Sequence, residues 1–385
     1  MSKGGRYAKH KEKQPRKPLG GKKIALIVVA VLLVLVIAVV IFGVAYYNSM
    51  LNKVSRAEFT PNSISDEELE AIMNYNPDAP TADAETTQAA TELTTVPTTL
   101  PYTESGKDII NILVVGQSAR DGEDARMADT MILATVNKTT KTLTLTSFLR
   151  DTYLKLPNYK DSTGRQHTCG EQRINVCYHL GWTWDGTAGA MAMMNQCLRE
   201  NFGIEVDYNI EIDFDAFVKV VDMLDGIEIE LTEAEAEYLN NDDVWVYYDV
   251  EPGLTRLDGM AALSYARMRK AAGDSDSDIK RTSRQRVLIE KIIEKVKAWS
   301  FASLQKMANE VLPMITTNMT NDQITTCIWE ILPLLSELKI ETGTCPVETT
   351  YWGEIVQIGG YDASVLKFDQ GQNRKLMMAI TEGTE

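Results

Sequence analysis

Beyond residue 23 the chain holds 30 Lys or Arg against 53 Asp or Glu, yet one stretch of it concentrates arginine. Residues 258–286 read DGMAALSYARMRKAAGDSDSDIKRTSRQR, with seven Lys or Arg against four Asp. Five of the seven are arginines: Arg267, Arg269, Arg281, Arg284 and Arg286. A helix starting near Asp278 would carry residues 281, 285, 288, 292 and 296 on one face, and these read Arg, Gln, Leu, Ile and Val. The apolar stripe thus begins with a guanidinium and an amide, whose desolvation needs an anionic partner. Arg267 and Arg269, two residues apart, share a side where the chain is extended or leaves a helix. Planar guanidinium groups converging in this way suit a phosphate or pyrophosphate, which they grip in bidentate fashion. The competing reading is a solvated helix whose arginines pair with the Asp-rich loop at 274–278.

Other candidate chemistry is sparser. The loop Gly116–Asp129 (GQSARDGEDARMAD) follows an apolar run and carries Arg120, Arg126 and Asp129. Its glycine spacing matches neither a P-loop nor a dinucleotide fingerprint, and Ser118 lacks the closing glycine of a hydrolase elbow. SFLRD at 147–151 sets Arg150 and Asp151 just past a strand end. His167, Cys169, Cys177 and His179 could ligate zinc, although their spacing is unusual for a structural site. No nucleophile motif accompanies the histidines. Aspartates are the better bases or metal ligands, since Mg²⁺ prefers oxygen and is often shared with phosphates.

The elements that must position these groups alternate between strand and helix. Ile109–Val115 reads as a buried strand. Met131–Val136 and the alternating Leu143, Leu145, Ser147 read as a hairpin around Asn137–Lys141. Gly186–Phe202 and Phe214–Leu224 have helical spacing, and Ile227–Leu231 reads as a strand. Interleaved strands and helices predict an α/β sheet covered on both faces. The two apolar helices are candidates for lining a lipid pocket, against the simpler alternative that their Met-rich stripe is core packing. Residues 301–340 look helical, and 341–369 hold short strands and turns.

Residues 24–47 run for 24 positions without a charge, and about 20 apolar residues span a bilayer as a helix. Nine Lys or Arg and one acid precede them, which predicts a cytoplasmic N-terminus and an external remainder. Tyr46, Tyr47 and Asn48, where the segment ends, do not resemble a cleavage site. Residues 80–104 are rich in Thr, Ala and Pro and read as a stalk. The chain therefore divides into a basic tail (1–23), a transmembrane helix (24–47), a stalk or linker (48–106) and a globular part (107–300). Residues 301–385 either complete that domain or form a small appendage. The net charge of −15 argues against nucleic acid as a partner. All five cysteines lie on the external side, where disulfides are permitted, and an odd number leaves at least one without an internal partner.

Three segments in order carry a resemblance: NILVVGQSAR at 111–120, RMADTMILATVNKTTKTLTLTSFLRD at 126–151 with RIN at 173–175, and LDGMAALSYARMR continuing to DIKRTSRQR. Behind a basic tail and apolar anchor, this chain resembles the LytR-CpsA-Psr family of cell-envelope proteins. The resemblance implies a three-layer α/β/α sandwich with a mixed central sheet, preceded by one transmembrane helix, and a deep apolar pocket for a polyprenyl chain. It implies a phosphotransferase that moves an anionic glycopolymer (teichoic acid, capsule or related glycan) from an undecaprenyl-pyrophosphate carrier to peptidoglycan, with Mg²⁺ assisting. It makes Arg120, Arg150, Arg267, Arg269, Arg281 and Gln285 pyrophosphate ligands. Arg150 and Arg281 then act on the reacting phosphate, Asp278 helps to activate the acceptor, and Asp129 is a metal ligand. Departures from the family pattern are Ser118 where a second metal aspartate is usual, Leu149 in place of a proline, and Arg126 three residues before Asp129. A non-catalytic polyprenyl-phosphate receptor and a polyprenyl-pyrophosphate hydrolase remain as alternatives.

Overall fold

A computed structural model describes residues 46–60, 70, 73–74, 107–117, 128–241, 248–268 and 277–383. For Gln117, Asp129, Ser277, Asp278 and Phe301 it describes the backbone alone. Most of the expected tail, anchor and stalk lie outside these residues, as does most of the loop Gly116–Asp129. Among the described residues no helix is long and apolar enough to cross a membrane.

Seven strands make the main sheet: β1 Ser55–Arg56, β2 Ile109–Gln117, β3 Ala128–Asn137, β4 Thr142–Phe148, β5 Tyr208–Ile212, β6 Ile315–Thr317 and β7 Lys339–Cys345. Their order is β1-β6-β5-β2-β3-β4-β7. β3 and β4 form the expected hairpin, closing with Asn137 opposite Thr142. β2 pairs antiparallel with β3 and parallel with β5, and β4 pairs parallel with β7. The carboxyl ends of β2, β4, β5 and β7 therefore share one edge, where ligands meet sheets of this kind. β1 falls within the stretch expected to be stalk, and β6 and β7 within residues 301–385. β1 and β6, of two and three residues, carry too little periodicity to be read in advance, whereas β7 overlaps the short strands expected over 341–369. The described residues from Met50 onward form one compact unit, while Tyr46–Ser49 of the preceding unit are helical.

Strand alternation sorts side chains onto two faces. Leu113, Val115, Met131, Leu133 and Phe148 pack against helix α1, Ile174–Phe202, in the largest apolar cluster. Asp185 and Gly186 break α1 in the middle, with Gly186 at φ 66° and ψ −157°. The two halves touch backbone to backbone: a Cβ on Gly181 would lie 2.4 Å from the Gly189 carbonyl oxygen. The Asp185 carboxylate ties the corner down by accepting from Tyr159 Oη at 2.7 Å and the Ser162 amide at 2.8 Å.

The opposite face turns Ile132, Val136, Leu143 and Leu145 toward a second helical layer. That layer comprises α2 Phe214–Met223, α3 Glu233–Leu239, α4 Gly259–Arg267 and α5 Ser277–Lys297. Side-chain caps start the first three, each accepting a backbone amide of the first turn: Asp213 for α2, Thr232 for α3 and Asp258 for α4. The hairpin Ile227–Leu231/Gly253–Leu257 closes the layer through Ile227, Ile229 and Leu257.

Candidate active site

Between the second face of the sheet and α2, α4 and α5 lies a cavity of about 680 Å³. Its floor is the alternate residues of the strands, Val114, Ile132, Ala134, Leu143 and Leu145. Its roof includes Phe217 and Val220 of α2, Leu263 of α4, and Leu288 and Ile292 of α5. Pockets of this size, apolar with a few convergent polar groups, are the ordinary form of a small-ligand site.

The polar groups gather at the sheet edge where the parallel strands end. Arg267, Arg281 and Gln285 line the cavity together with Gly116, Thr130 and Asp213 of that edge. The stripe expected from helical spacing is thus realised in four of its five members, since Arg281, Gln285, Leu288 and Ile292 all face the cavity. Arg281 is only 3 % exposed. Arg267 ends α4, where cations are favoured by the helix dipole, and its guanidinium carbon stands 4.7 Å from the centroid of the Phe214 ring. That cation–π contact holds the charge at the rim of the cavity. Gln285 donates through Nε2 to the Ala266 carbonyl at 3.4 Å.

Two cationic groups over an apolar pocket select an amphiphile: an anionic head held by guanidiniums and a hydrocarbon body that gains by leaving water.

The remaining expected residues are distributed as follows. Arg150 sits just past β4 at the same sheet edge, outside the cavity lining, with Nε 3.5 Å from Asp151 Oδ1. Asp151 is shared with Arg173, whose Nε lies 3.3 Å away. Asp129 is the second residue of β3, next to Thr130 of the rim, and Asp278 is the second residue of α5, one turn before Arg281. Arg120, Ser118, Arg126 and Arg269 lie outside the described residues.

One expectation is corrected. The Met-rich helix 186–202 does not line the cavity: Met193, Met194, Cys197 and Leu198 pack in the core on the opposite face of the sheet. Only 214–223 of the two candidate helices forms a wall. Phe214 of the rim begins one of the two helices that the sequence offers as pocket walls, and Asp213 before it fits a helix start signal that the sequence reading does not use.

The four possible zinc ligands do not assemble either. His167 Nε2 is 2.8 Å from Asp161 Oδ2, and its ring stacks on Trp184 with centroids 4.1 Å apart. Cys177 donates its thiol to the Met193 carbonyl at 3.4 Å. Burial pushes His179 down to about 4. Among the described residues no three His, Cys, Asp or Glu are placed to hold a metal ion. All five cysteines are buried free thiols. Burial, with Cys197 close by, pushes Cys169 up to about 12, and burial pushes Cys327 up to about 11.

Known proteins resemble this chain in sequence and in fold. Over 216 residues the chain is 32 % identical to the polyisoprenyl-teichoic acid–peptidoglycan teichoic acid transferase TagU of Oceanobacillus iheyensis, covering 56 % of this chain and 59 % of that protein. It is 33 % identical over 227 residues to the TagU of Bacillus subtilis, covering 58 % and 63 %. The aligned part thus spans about three fifths of the length of these relatives. The fold matches the LytR-CPS2A-psr family protein YwtF (TagT), solved with bound octaprenyl pyrophosphate lipid, at TM-score 0.51 and 20 % identity, over 74 % of this chain and 94 % of that one. The LytR_cpsA_psr family model matches residues 72–375. The chain belongs to the LytR_cpsA_psr family.

Proposed function

We propose that this protein is a phosphotransferase. It attaches an anionic cell-wall glycopolymer, a teichoic acid, capsule or related glycan, from a polyprenyl-pyrophosphate carrier to peptidoglycan. The observation that carries this reading is the apolar cavity of about 680 Å³ with Arg267, Arg281 and Gln285 along it. The names of the relatives, which describe teichoic acid transfer to peptidoglycan, support the same reading. In this proposal the domain is a three-layer α/β/α sandwich on the outer surface of the cell membrane. It is anchored there by a single helix over 24–47, which 24 uncharged residues behind a basic tail support.

The reaction follows from charge. A peptidoglycan hydroxyl attacks the phosphorus that carries the glycan. The bond from that phosphorus to the oxygen bridging to the prenyl phosphate breaks, and the prenyl phosphate leaves. Phosphoryl transfer depends mainly on positioning and on neutralising charge at the transferred and leaving oxygens. Arg267, Arg281 and Arg150 supply that neutralisation, with Arg120, Arg269 and Gln285 as further ligands of the pyrophosphate. Asp278 takes the acceptor proton. The tail contributes affinity through the hydrocarbon buried between the sheet and the helices.

Mg²⁺ belongs to the proposal through Asp129, whose neighbour Thr130 is on the cavity rim. One carboxylate fits the usual arrangement in which Mg²⁺ takes most of its ligands from phosphate oxygens and water. When bound, it would lower the negative charge on the pyrophosphate.

The test uses the purified chain with a polyprenyl-pyrophosphate-linked glycan and uncrosslinked peptidoglycan, with and without chelator. Glycan covalently joined to peptidoglycan, lost in Arg281→Ala, is the expected result. Bound lipid without product across several donors would replace the transferase with a lipid receptor. Release of free glycan phosphate would replace it with a hydrolase.

A further inference from the structure

The backbone that carries Arg267 is held on both sides of it. Gln285 donates to the Ala266 carbonyl at 3.4 Å, and Arg284 Nη1 donates to the Met268 carbonyl at 3.1 Å. These oxygens belong to the end of α4, where carbonyls have no partner within the helix. Met268 has left the helical conformation, at φ −56° and ψ 121°.

Arg284 is itself braced. Its Nε donates to Glu235 Oε1 at 2.7 Å, and its guanidinium carbon lies 5.9 Å from the centroid of the Tyr265 ring. The other oxygen of Glu235 accepts from the Thr232 amide at 3.1 Å and the Thr232 hydroxyl at 3.0 Å, completing the capping box of α3. The carboxylate therefore has a fixed direction before Arg284 reaches it. Helical geometry explains why Arg284 is on this duty while its neighbours face the cavity. A step of one residue turns a side chain by about 100° around the axis, so Arg284 points to the α3–α4 side of α5.

We propose that Arg284 is a positioning residue for Arg267. Braced on Glu235, it fixes the Met268 carbonyl and so aims the Arg267 guanidinium into the mouth of the cavity beside Arg281. Arg284 touches no part of the lipid. The inference rests on the reading that the cavity takes a polyprenyl pyrophosphate. An arginine is required because its planar fork can serve a carboxylate and a carbonyl at once, whereas a lysine offers a single point of charge.

The experiment measures equilibrium binding of undecaprenyl pyrophosphate and of undecaprenol to the full chain. The variants are Arg284→Lys and the charge-matched pair Arg284→Met with Glu235→Gln, which keeps the cap of α3. Each is combined with Arg267→Ala. The expected loss is about tenfold for the pyrophosphate lipid with none for the alcohol, and no further loss once Arg267 is gone, as coupled residues show in a double-mutant cycle. Equal loss for both lipids would overturn the inference, because a general collapse of the helical layer would explain it. So would unchanged pyrophosphate binding, or a loss that adds in full to that of Arg267→Ala. A wild-type chain that binds both lipids equally would overturn the headgroup reading itself, and the inference with it.

Discussion

Arg284 and Glu235 stand 49 residues apart in the chain, and their side chains meet at 2.7 Å. Both residues are buried, at 5 % and 8 % exposure. A buried charge that loses its partner costs about 3–5 kcal/mol, whereas removing both partners together costs far less. Arg284→Met alone should therefore lower the unfolding free energy by that amount, and the pair Arg284→Met with Glu235→Gln should recover most of it. Urea unfolding followed by circular dichroism is the check. A single variant as stable as the double would show that the pair is not energetically coupled.

The two faces of the sheet should respond in opposite ways to substitution. Ala134 lies on the cavity floor, so Ala134→Phe fills open space and leaves the core packing intact. We expect a folded protein with polyprenyl affinity reduced about tenfold or more, as bulky side chains displace a ligand that fills the same volume. Met193 is fully buried on the other face. Met193→Glu places a charge in that core and should destabilise by more than about 4 kcal/mol, or prevent folding. Lipid binding measured beside thermal unfolding separates the two effects.

Acid should destabilise the fold through His179. Burial holds this imidazole at about 4, below its ordinary 6.5. Between those values the unfolded chain binds a proton at this position that the folded chain does not, so falling pH favours unfolding. The contribution is fully present above pH 6.5 and is lost as the pH falls toward 4, by up to about 3 kcal/mol. His179→Gln should flatten this part of the stability profile relative to wild type. A profile of unchanged slope between pH 6.5 and 4 would remove His179 as its cause.

Thiol chemistry should be silent in the native state. The five cysteines are buried, and burial raises Cys169, Cys177, Cys327 and Cys345 above the ordinary thiol range. The reactive species is the thiolate, and it needs access to reagent. Iodoacetamide at pH 8 should label none of the five under native conditions and all of them in guanidinium, as counted by intact mass. Fast native labelling of any one would show that its surroundings open.

Local patterns that repeat over a turn or a strand were legible in the amino-acid order. The stripe of Arg281, Gln285, Leu288 and Ile292 faces one cavity because residues four apart must share a helix face. The hairpin of β3 and β4 and the strand Ile227–Leu231 follow from alternation and turn residues in the same way. The order of residues also sets Arg267 and Arg281 apart from an otherwise acidic chain.

Tertiary structure decided what those patterns are for. Helices 186–202 and 214–223 are both apolar, and nothing local says which of them leaves room beneath it. Gly181 and Gly189 let the halves of α1 close until backbones touch, so that side packs solid. Phe217 and Val220 of α2 instead stand across open space from the sheet. Arg281 and Arg284 are equally arginine in the sequence. One borders the cavity and the other meets Glu235, because the partner that distinguishes them is delivered by α3, 49 residues away from Arg284. Periodicity is fixed by the geometry of neighbouring residues, whereas a partner so distant in the chain is fixed only when the whole layer packs.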